Sequence, residues 1–495
     1  MPIKKSVEQK LNVKPIYSHP IHTGSYEGPC RIGESERLTP GYDQRVGREI
    51  FEALKEKLKT VYSDDANLLE PLYITWTDDF IFKNEKLELV ETDLNKTDIF
   101  LVSGPISAYY IGELAKKYKK PIGAVGCCAS TDSSAYLKSI GLEGYGYIDH
   151  YDAASHFPIL RARKGIANTR VLHVLQNGIV PKGVVSGIRN VDYLTQKYGI
   201  EFSFVNQQEV LDAVTNLDKE GVKQAEKIAD DLTKNAEFCF MKREYIVNSA
   251  KFYVVVKRLL EKYECNAFTI PCFEICATQR LNKEKYTFCL AHTLLKEEGI
   301  PSACEADISA LFSIDILMNI TNSAPHMGNL HPASITNSAP EVNDRWDRIV
   351  SPDFINTPER FKKMNNLVHI YHAVPTRYMG GRDKTPTAYG IQSFTYSGWG
   401  VTIRHNYDED INKEITFLRV DPTGTKMLAT KAKIVGDVGY KDIGCSTGFY
   451  AQVDDVKDFF EKESQVGHHH AWVYGDIREK LKELGEIMGM EVITA

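Results

Sequence analysis

No stretch of this chain is long and apolar enough to cross a bilayer: the longest, Ile308 to Ile320, is interrupted by Asp315, and a spanning helix needs roughly 20 apolar residues. Nor is positive charge in excess. Lys plus Arg number 60 against 66 Asp plus Glu, a formal net charge of −6, so neither nucleic acid nor a membrane is expected as a partner. The ten cysteines are scattered, mostly in apolar surroundings and without a CxxC pair, which predicts buried reduced thiols rather than a disulfide framework. Spacings of seven and four among Cys265, Cys272 and Cys276 do not match a structural zinc knuckle. No apolar segment of the secretory kind follows the N-terminal lysines, so a cytoplasmic location is expected. There is no internal repeat, no low-complexity linker and no GxGxxG turn, and nothing calls for a dinucleotide.

What remains is an enzyme-sized globular composition, 43% hydrophobic and 25% charged over 495 residues, too long for a single core. Apolar residues at helical spacing from Gln44 to Leu58 precede TDIFLVSGP, a short apolar run stopped by Gly104 and Pro105. AYYIGELAKKY, PIGAVGC and SSAYLKSIG then read as helix, strand and helix. This alternation predicts a doubly wound parallel sheet. TRVLHVLQNG, EFSFVN, NAFTIPC and the helices between them predict a second such layer. From about Asn343 the pattern changes to short strands, VHIYHAVP, GIQSFTYSG, GVTIRHNY, EITFLRVD and MLATKAKIVG, separated by turn residues. The expected architecture is therefore two Rossmann-like α/β domains, 1–167 and 168–342, followed by a β-rich antiparallel sheet or barrel over 343–495.

Four segments carry residues suited to chemistry. In SACEADISALF, Glu305 and Asp307 precede a helix, where carboxylates serve as N-terminal helix charges or as metal ligands. In APHMGNLHP, His326, Asn329 and His331 lie in what reads as a Gly- and Pro-bounded turn. His369 and His372 of LVHIYHAVP are three apart in an apolar strand and so point to opposite faces. His468, His469 and His470 precede an aromatic strand. Carboxylate, amide and imidazole donors together suit Mn2+, Mg2+ or Co2+, held so that open positions remain for neighbouring sugar oxygens.

In order and spacing, ACEADI, MGNLHP with Asn329 24 residues beyond Glu305, VHIYHAVP, SGWGVTIRHNYDEDINKEITFLRVDP and GHHHAWVYGD resemble the L-fucose isomerase and L-arabinose isomerase superfamily. The resemblance implies reversible aldose to ketose isomerisation through an ene-diolate, with a divalent cation, usually Mn2+. By position it implies Glu305 as metal-binding carboxylate and acid/base, His470 as C-terminal metal ligand, His469 as its neighbour at the substrate and His372 as a substrate contact. Relatives place a second metal carboxylate where this chain has Gly328 and Asn329, and no acid occurs between Asp315 and Glu341. Asn329 offers an amide oxygen but no base. Asp307, a water or His372 are then the candidates for the second proton transfer. A catalytically silent sugar-binding protein is the rival reading. Arg377 and Arg382, paired in RYMGGRDKTP, suit a clamp for a sulfonate or phosphate, which puts sulfoquinovose beside L-fucose, D-arabinose and L-arabinose as candidate substrate. Arg345, Arg348, Lys384 and Arg404 add positive charge to the same half, and Trp399 and Trp472 suit stacking on a sugar. The resemblance also implies a trimer or hexamer in which Tyr17, His19 and Arg31 of a neighbour border the site.

Overall fold

The computed structural model describes residues 3–21, 39–62, 65–77, 84–105, 108–180, 184–272, 275, 279–333, 360–361, 363–445 and 447–495. These form two compact units, Gln9–Lys164 and Met1–Glu8 with Gly165–Ala495. The boundary expected at 167 lies three residues from the division at 164; the one expected at 342 falls outside the described residues, inside the second unit.

In the first unit, β1 (Leu11–Ile21), β2 (Ala66–Leu68), β3 (Leu72–Thr77), β4 (Ile99–Ser103), β5 (Ile122–Val125) and β6 (Gly144–Tyr147) form a parallel sheet in the order β2-β1-β4-β5-β6, with β3 also on β1. Every residue of β4 is buried, as expected of a parallel strand covered on both faces. The helix Ala108–Tyr118 turns Tyr110, Ile111 and Leu114 onto this sheet and ends on Lys116 and Lys117, which favour the negative end of its dipole.

The second unit begins with another parallel sheet, β7 (Arg170–Leu175), β8 (Glu201–Asn206), β10 (Ala267–Thr269) and β11 (Ser302–Ala303), in the order β11-β10-β7-β8. The short β9 (Phe238–Cys239) instead pairs with β14 (Gly390–Ser393), itself antiparallel to β15 (Val401–Arg404). This small sheet stands apart from the main antiparallel body.

That body is a barrel. Strands β12 (His326–Pro332), β13 (Leu367–Tyr371), β16 (Glu414–Val420), β17 (Lys426–Val438), β18 (Gly448–Gln452) and β19 (His469–Tyr474) run in the order β16-β19-β12-β13-β18-β17, and the β16–β17 pairing closes the ring, with β20 (Glu491–Thr494) added beside β17. Its interior is filled by Leu330, Val368, Ile370, Phe417, Phe449 and Trp472. The segment containing His326, Asn329 and His331, expected as a turn, is a central barrel strand. Its Gly328 explains why: a Cβ there would lie 2.8 Å from the Tyr371 carbonyl oxygen, so glycine permits the close approach of β13.

On the outside of the barrel, the helix Ile308–Thr321 packs on β16 and β19. It is apolar all round and buried from Ile308 to Ile320. Asp315 is accommodated there because Thr169, Ser6 and Asn319 all donate to its carboxylate. Among the described residues, no helix is long and apolar enough to cross a membrane.

Candidate functional site

The turn between β11 and the Ile308–Thr321 helix carries the central carboxylate. Glu305 and Ala306 both adopt left-handed conformations, φ 61° and 52°. Two successive non-glycine residues in that region cost on the order of 1–3 kcal/mol each, an investment typical of functional turns. Asp307 then caps the helix, accepting from the Ala310 N–H at 3.1 Å.

Three chain segments meet at Glu305. His372 Nε2 lies 3.5 Å from Glu305 Oε1, and the His372 ring is 5.2 Å from that of His469. His372 sits one residue beyond β13, on a loop whose carbonyls are tied down by the Cys289–Glu297 helix. Thr293 Oγ1 donates to Pro375 O at 2.8 Å and Lys296 Nζ to Val374 O at 3.0 Å. His469 is oriented by Asp307, whose Oδ2 lies 2.9 Å from His469 Nδ1 and 2.5 Å from Arg419 Nη1. With Nδ1–H donated to the carboxylate, His469 Nε2 is left as a buried lone pair without a hydrogen-bond partner among the described residues.

The electrostatics follow from this arrangement. Burial pushes the Glu305 carboxyl upward, but the neighbouring His372 and His469 side chains outweigh it and hold it below its ordinary value, at about 2. Burial lowers the His372 pKa, and the neighbouring Glu305 carboxylate pulls against it. Asp307 is opposed by burial yet held well below the carboxylate range by Arg419 and His469.

Strand alternation separates residues that sequence reasoning had joined. His469 and Asn329 are directly opposed across β19 and β12 and therefore share a face, whereas His470 opposes Gly328. His470 points into the barrel, with its ring 6.3 Å from Phe417 and 6.0 Å from Phe459, and its Nε2 is 3.2 Å from Glu463 Oε1. The structure thus places His469, and not the expected His470, on the face shared with Asn329 and beside His372. Asp307, expected as an acid/base, is fully buried with its oxygens occupied by the helix cap, Arg419 and His469, and is a positioning residue.

The anion clamp is corrected as well. Arg377 is committed to Glu297, with Nε at 3.0 Å from Oε1, and Arg382 Nη2 donates to Asn322 Oδ1 at 2.5 Å. Arg404 is buried and donates to the carbonyls of Ser393, Asp442 and Gly444. Trp472 is inside the barrel, edge-on to Phe449, and Trp399 is buried in the connection between β14 and β15. Arg345, Arg348, Arg31 and Cys276 lie outside the described residues. In the first unit Tyr17 Oη and His19 Nδ1 are 3.1 Å apart, and a separate cleft of about 540 Å³ is lined by Gly41, Gln44, Arg45, Arg48, Tyr73 and Thr75.

Sequence reasoning missed Arg419. Its signal was a charged residue within the apolar run ITFLRV, where burial demands a partner such as Asp307. A GxSxG spacing at 444–448 was also passed over. It links two antiparallel barrel strands rather than a strand to a helix, so it lacks the geometry of a hydrolase nucleophile elbow, and Ser446 lies outside the described residues.

No family model matches the chain. Two curated proteins named sulfoquinovose isomerase, from Priestia aryabhattai and Priestia megaterium, are each 22% identical to it over 333 residues. The match covers 65% of this chain and spans 65% of the length of each relative. Among solved structures, a periplasmic solute-binding protein of an ABC transporter from Actinobacillus succinogenes, with bound D-allose, is 15% identical and covers 63% of this chain and 92% of its own, with a TM-score of 0.14. That score is too low to carry an argument about the fold.

Proposed function

We propose that the protein is a divalent-metal-dependent aldose–ketose isomerase acting on an open-chain sugar, with a 6-sulfonated hexose such as sulfoquinovose as the leading substrate. The observation that carries the reading is the Glu305 carboxylate 3.5 Å from His372 Nε2, with the His372 ring against that of His469, whose Nε2 has no hydrogen-bond partner among the described residues. The sulfo-sugar assignment is supported by the names of the two relatives.

The donor set fits a hard-to-borderline cation such as Mn2+: an ionised carboxylate from Glu305, a buried imidazole lone pair from His469, and the amide oxygen of Asn329 on the same sheet face as His469. Bound there, the cation would polarise the C1 and C2 oxygens and lower the cost of charge that develops on them.

The remaining work falls to the chain. Glu305 removes the C2 proton and returns it to C1, acting on one face of the sugar. Its left-handed backbone holds the carboxylate at the turn, so little reorganisation accompanies proton transfer. His372 carries the proton between the two hydroxyl oxygens, the task that Asp307 cannot take because its oxygens are committed. His469 is kept in one tautomer by Asp307, and Arg419 keeps Asp307 ionised.

The test is conversion itself. Purified protein with added Mn2+ is incubated separately with sulfoquinovose, glucose, L-fucose, D-arabinose and L-arabinose, and ketose is measured by chromatography. Ketose from one of these, absent with Glu305→Gln, is expected. Sugar binding without any conversion would overturn the isomerase and give the lead to a silent sugar-binding protein on this fold.

A further inference from the structure

Directly behind Glu305 lies a second group of ligating atoms with a different chemical character. Cys304 precedes Glu305 in the turn, Cys272 follows β10, and His292 lies on the Cys289–Glu297 helix. The two sulfurs and one imidazole nitrogen all lie within 4.8 Å of one another, and all three residues are buried. The two sulfurs are 2.6 Å apart.

The imidazole distinguishes a metal site from a mere thiol contact. His292 Nδ1 is 2.7 Å from Ser302 Oγ, while its Nε2 is buried with no hydrogen-bond partner among the described residues. A fully buried ring nitrogen left bare is costly unless something occupies it. The hydroxyl at Nδ1 fixes the ring in the way that outer partners orient ligating histidines.

We infer that Cys272, Cys304 and His292 form a buried soft-cation site for Zn2+ that adjoins Glu305, since Cys304 Sγ also lies within 4.8 Å of ligating atoms of Glu305 and His372. Thiolate and imidazole are the donors that select Zn2+ over Mn2+ or Mg2+. Binding balances as one Zn2+ taken up and two thiol protons released, forming two Zn–S bonds and one Zn–N bond. The resulting Zn2+ with two thiolates and a neutral imidazole carries no net charge, which suits a site with no solvent contact. Zn–S bonds of about 2.3 Å at tetrahedral angles put the sulfurs roughly 3.8 Å apart, against 2.6 Å here, so occupancy moves the Cys272 and Cys304 sulfurs apart. Because Glu305 N–H donates to Cys272 Sγ at 2.9 Å, that movement reaches the carboxylate turn.

The inference does not depend on the proposed isomerase activity. Full-length protein, reduced and freed of metal, is titrated with Zn2+ and separately with Co2+, whose thiolate charge-transfer band in the near ultraviolet reports sulfur ligation. A Co2+–thiolate band is expected in the wild type and in Glu305→Gln, with at least one equivalent of Zn2+ bound in each. The band should be lost in Cys272→Ser and altered in His292→Gln. Ser302→Ala, which removes only the ring's orienting partner, should weaken Zn2+ binding by about 10–100-fold and serves where a ligand variant fails to fold. Absence of the band in folded wild type, a band unchanged by His292→Gln, or an intact mass showing Cys272 and Cys304 oxidised to a disulfide in the protein as purified would each overturn the site.

Discussion

Replacing Asp307 by Asn tests the link between packing and function most sharply. Asn retains the side-chain oxygen that caps the Ile308–Thr321 helix, so the cap is conserved while the charge is removed. What is lost is the anion between Arg419 and His469, in a pair whose side chains are both 0% exposed. Breaking a buried pair from one side typically costs about 3–5 kcal/mol, because the remaining charge is left uncompensated. Here the guanidinium keeps other acceptors, the carbonyls of His469, Val466 and Ser186, which places the expected loss near the lower end, about 3 kcal/mol. Removing both charges with Asp307→Asn/Arg419→Met should recover a large part of that loss. Urea unfolding at pH 7 reads the stability, and turnover reads the function, since Asn cannot hold the His469 tautomer as a carboxylate does. A loss below about 1 kcal/mol, or a double variant whose loss is the sum of the single ones, would refute the reasoning. The same pair predicts an acid limb: the Asp307 pKa is depressed by folding, so its stabilisation is present above the unfolded value of about 3.9 and fades as pH falls through the lower folded value.

Three other outcomes follow from the geometry. His469→Gln should lower turnover by about 100-fold or more, whereas His470→Met, inside the barrel, should change thermal stability and leave turnover near wild type; equal losses of turnover would contradict the assignment of the two faces. Glu463 is raised by burial to about 8, so the folded state keeps a proton that the unfolded chain releases near pH 4.3. Stability should therefore fall as pH rises from about 5 to about 8, by at most about 1.4 kcal/mol per pH unit, and Glu463→Gln should flatten that slope in thermal melts. Chelator-treated protein should lose turnover and regain it with Mn2+, while Glu305→Gln should show weakened Mn2+ binding by calorimetry; unaffected Mn2+ affinity in the variant would remove Glu305 from the donor set.

Of the parallel strands, β4, β5, β7, β8 and β10 were legible, the clearest from the apolar run IFLV that both faces of the sheet cover, whereas β1, β2, β3, β6 and β11 were not read. Glu305 was legible, from its place between an apolar strand and a helix. The strand HMGNLHP was not legible, because its glycine and proline carry turn chemistry locally, and its pairing with β13 and β19 is a tertiary fact. The choice between His469 and His470 depended on a register that no spacing within HHHAW reveals, and a slip of one residue exchanges the two faces. Arg377 looked free to clamp an anion only because Glu297, 80 positions earlier, was not known to face it.

The central claim is that Glu305 moves a proton between adjacent carbons of a sugar. Its most direct test is proton NMR in D2O, with Mn2+ and sulfoquinovose, following the C2 proton of the aldose in wild type and in Glu305→Gln. Exchange of that proton for deuterium in the wild type alone, with ketose accumulating, is the predicted result. Ketose formation at an undiminished rate in Glu305→Gln would contradict the account.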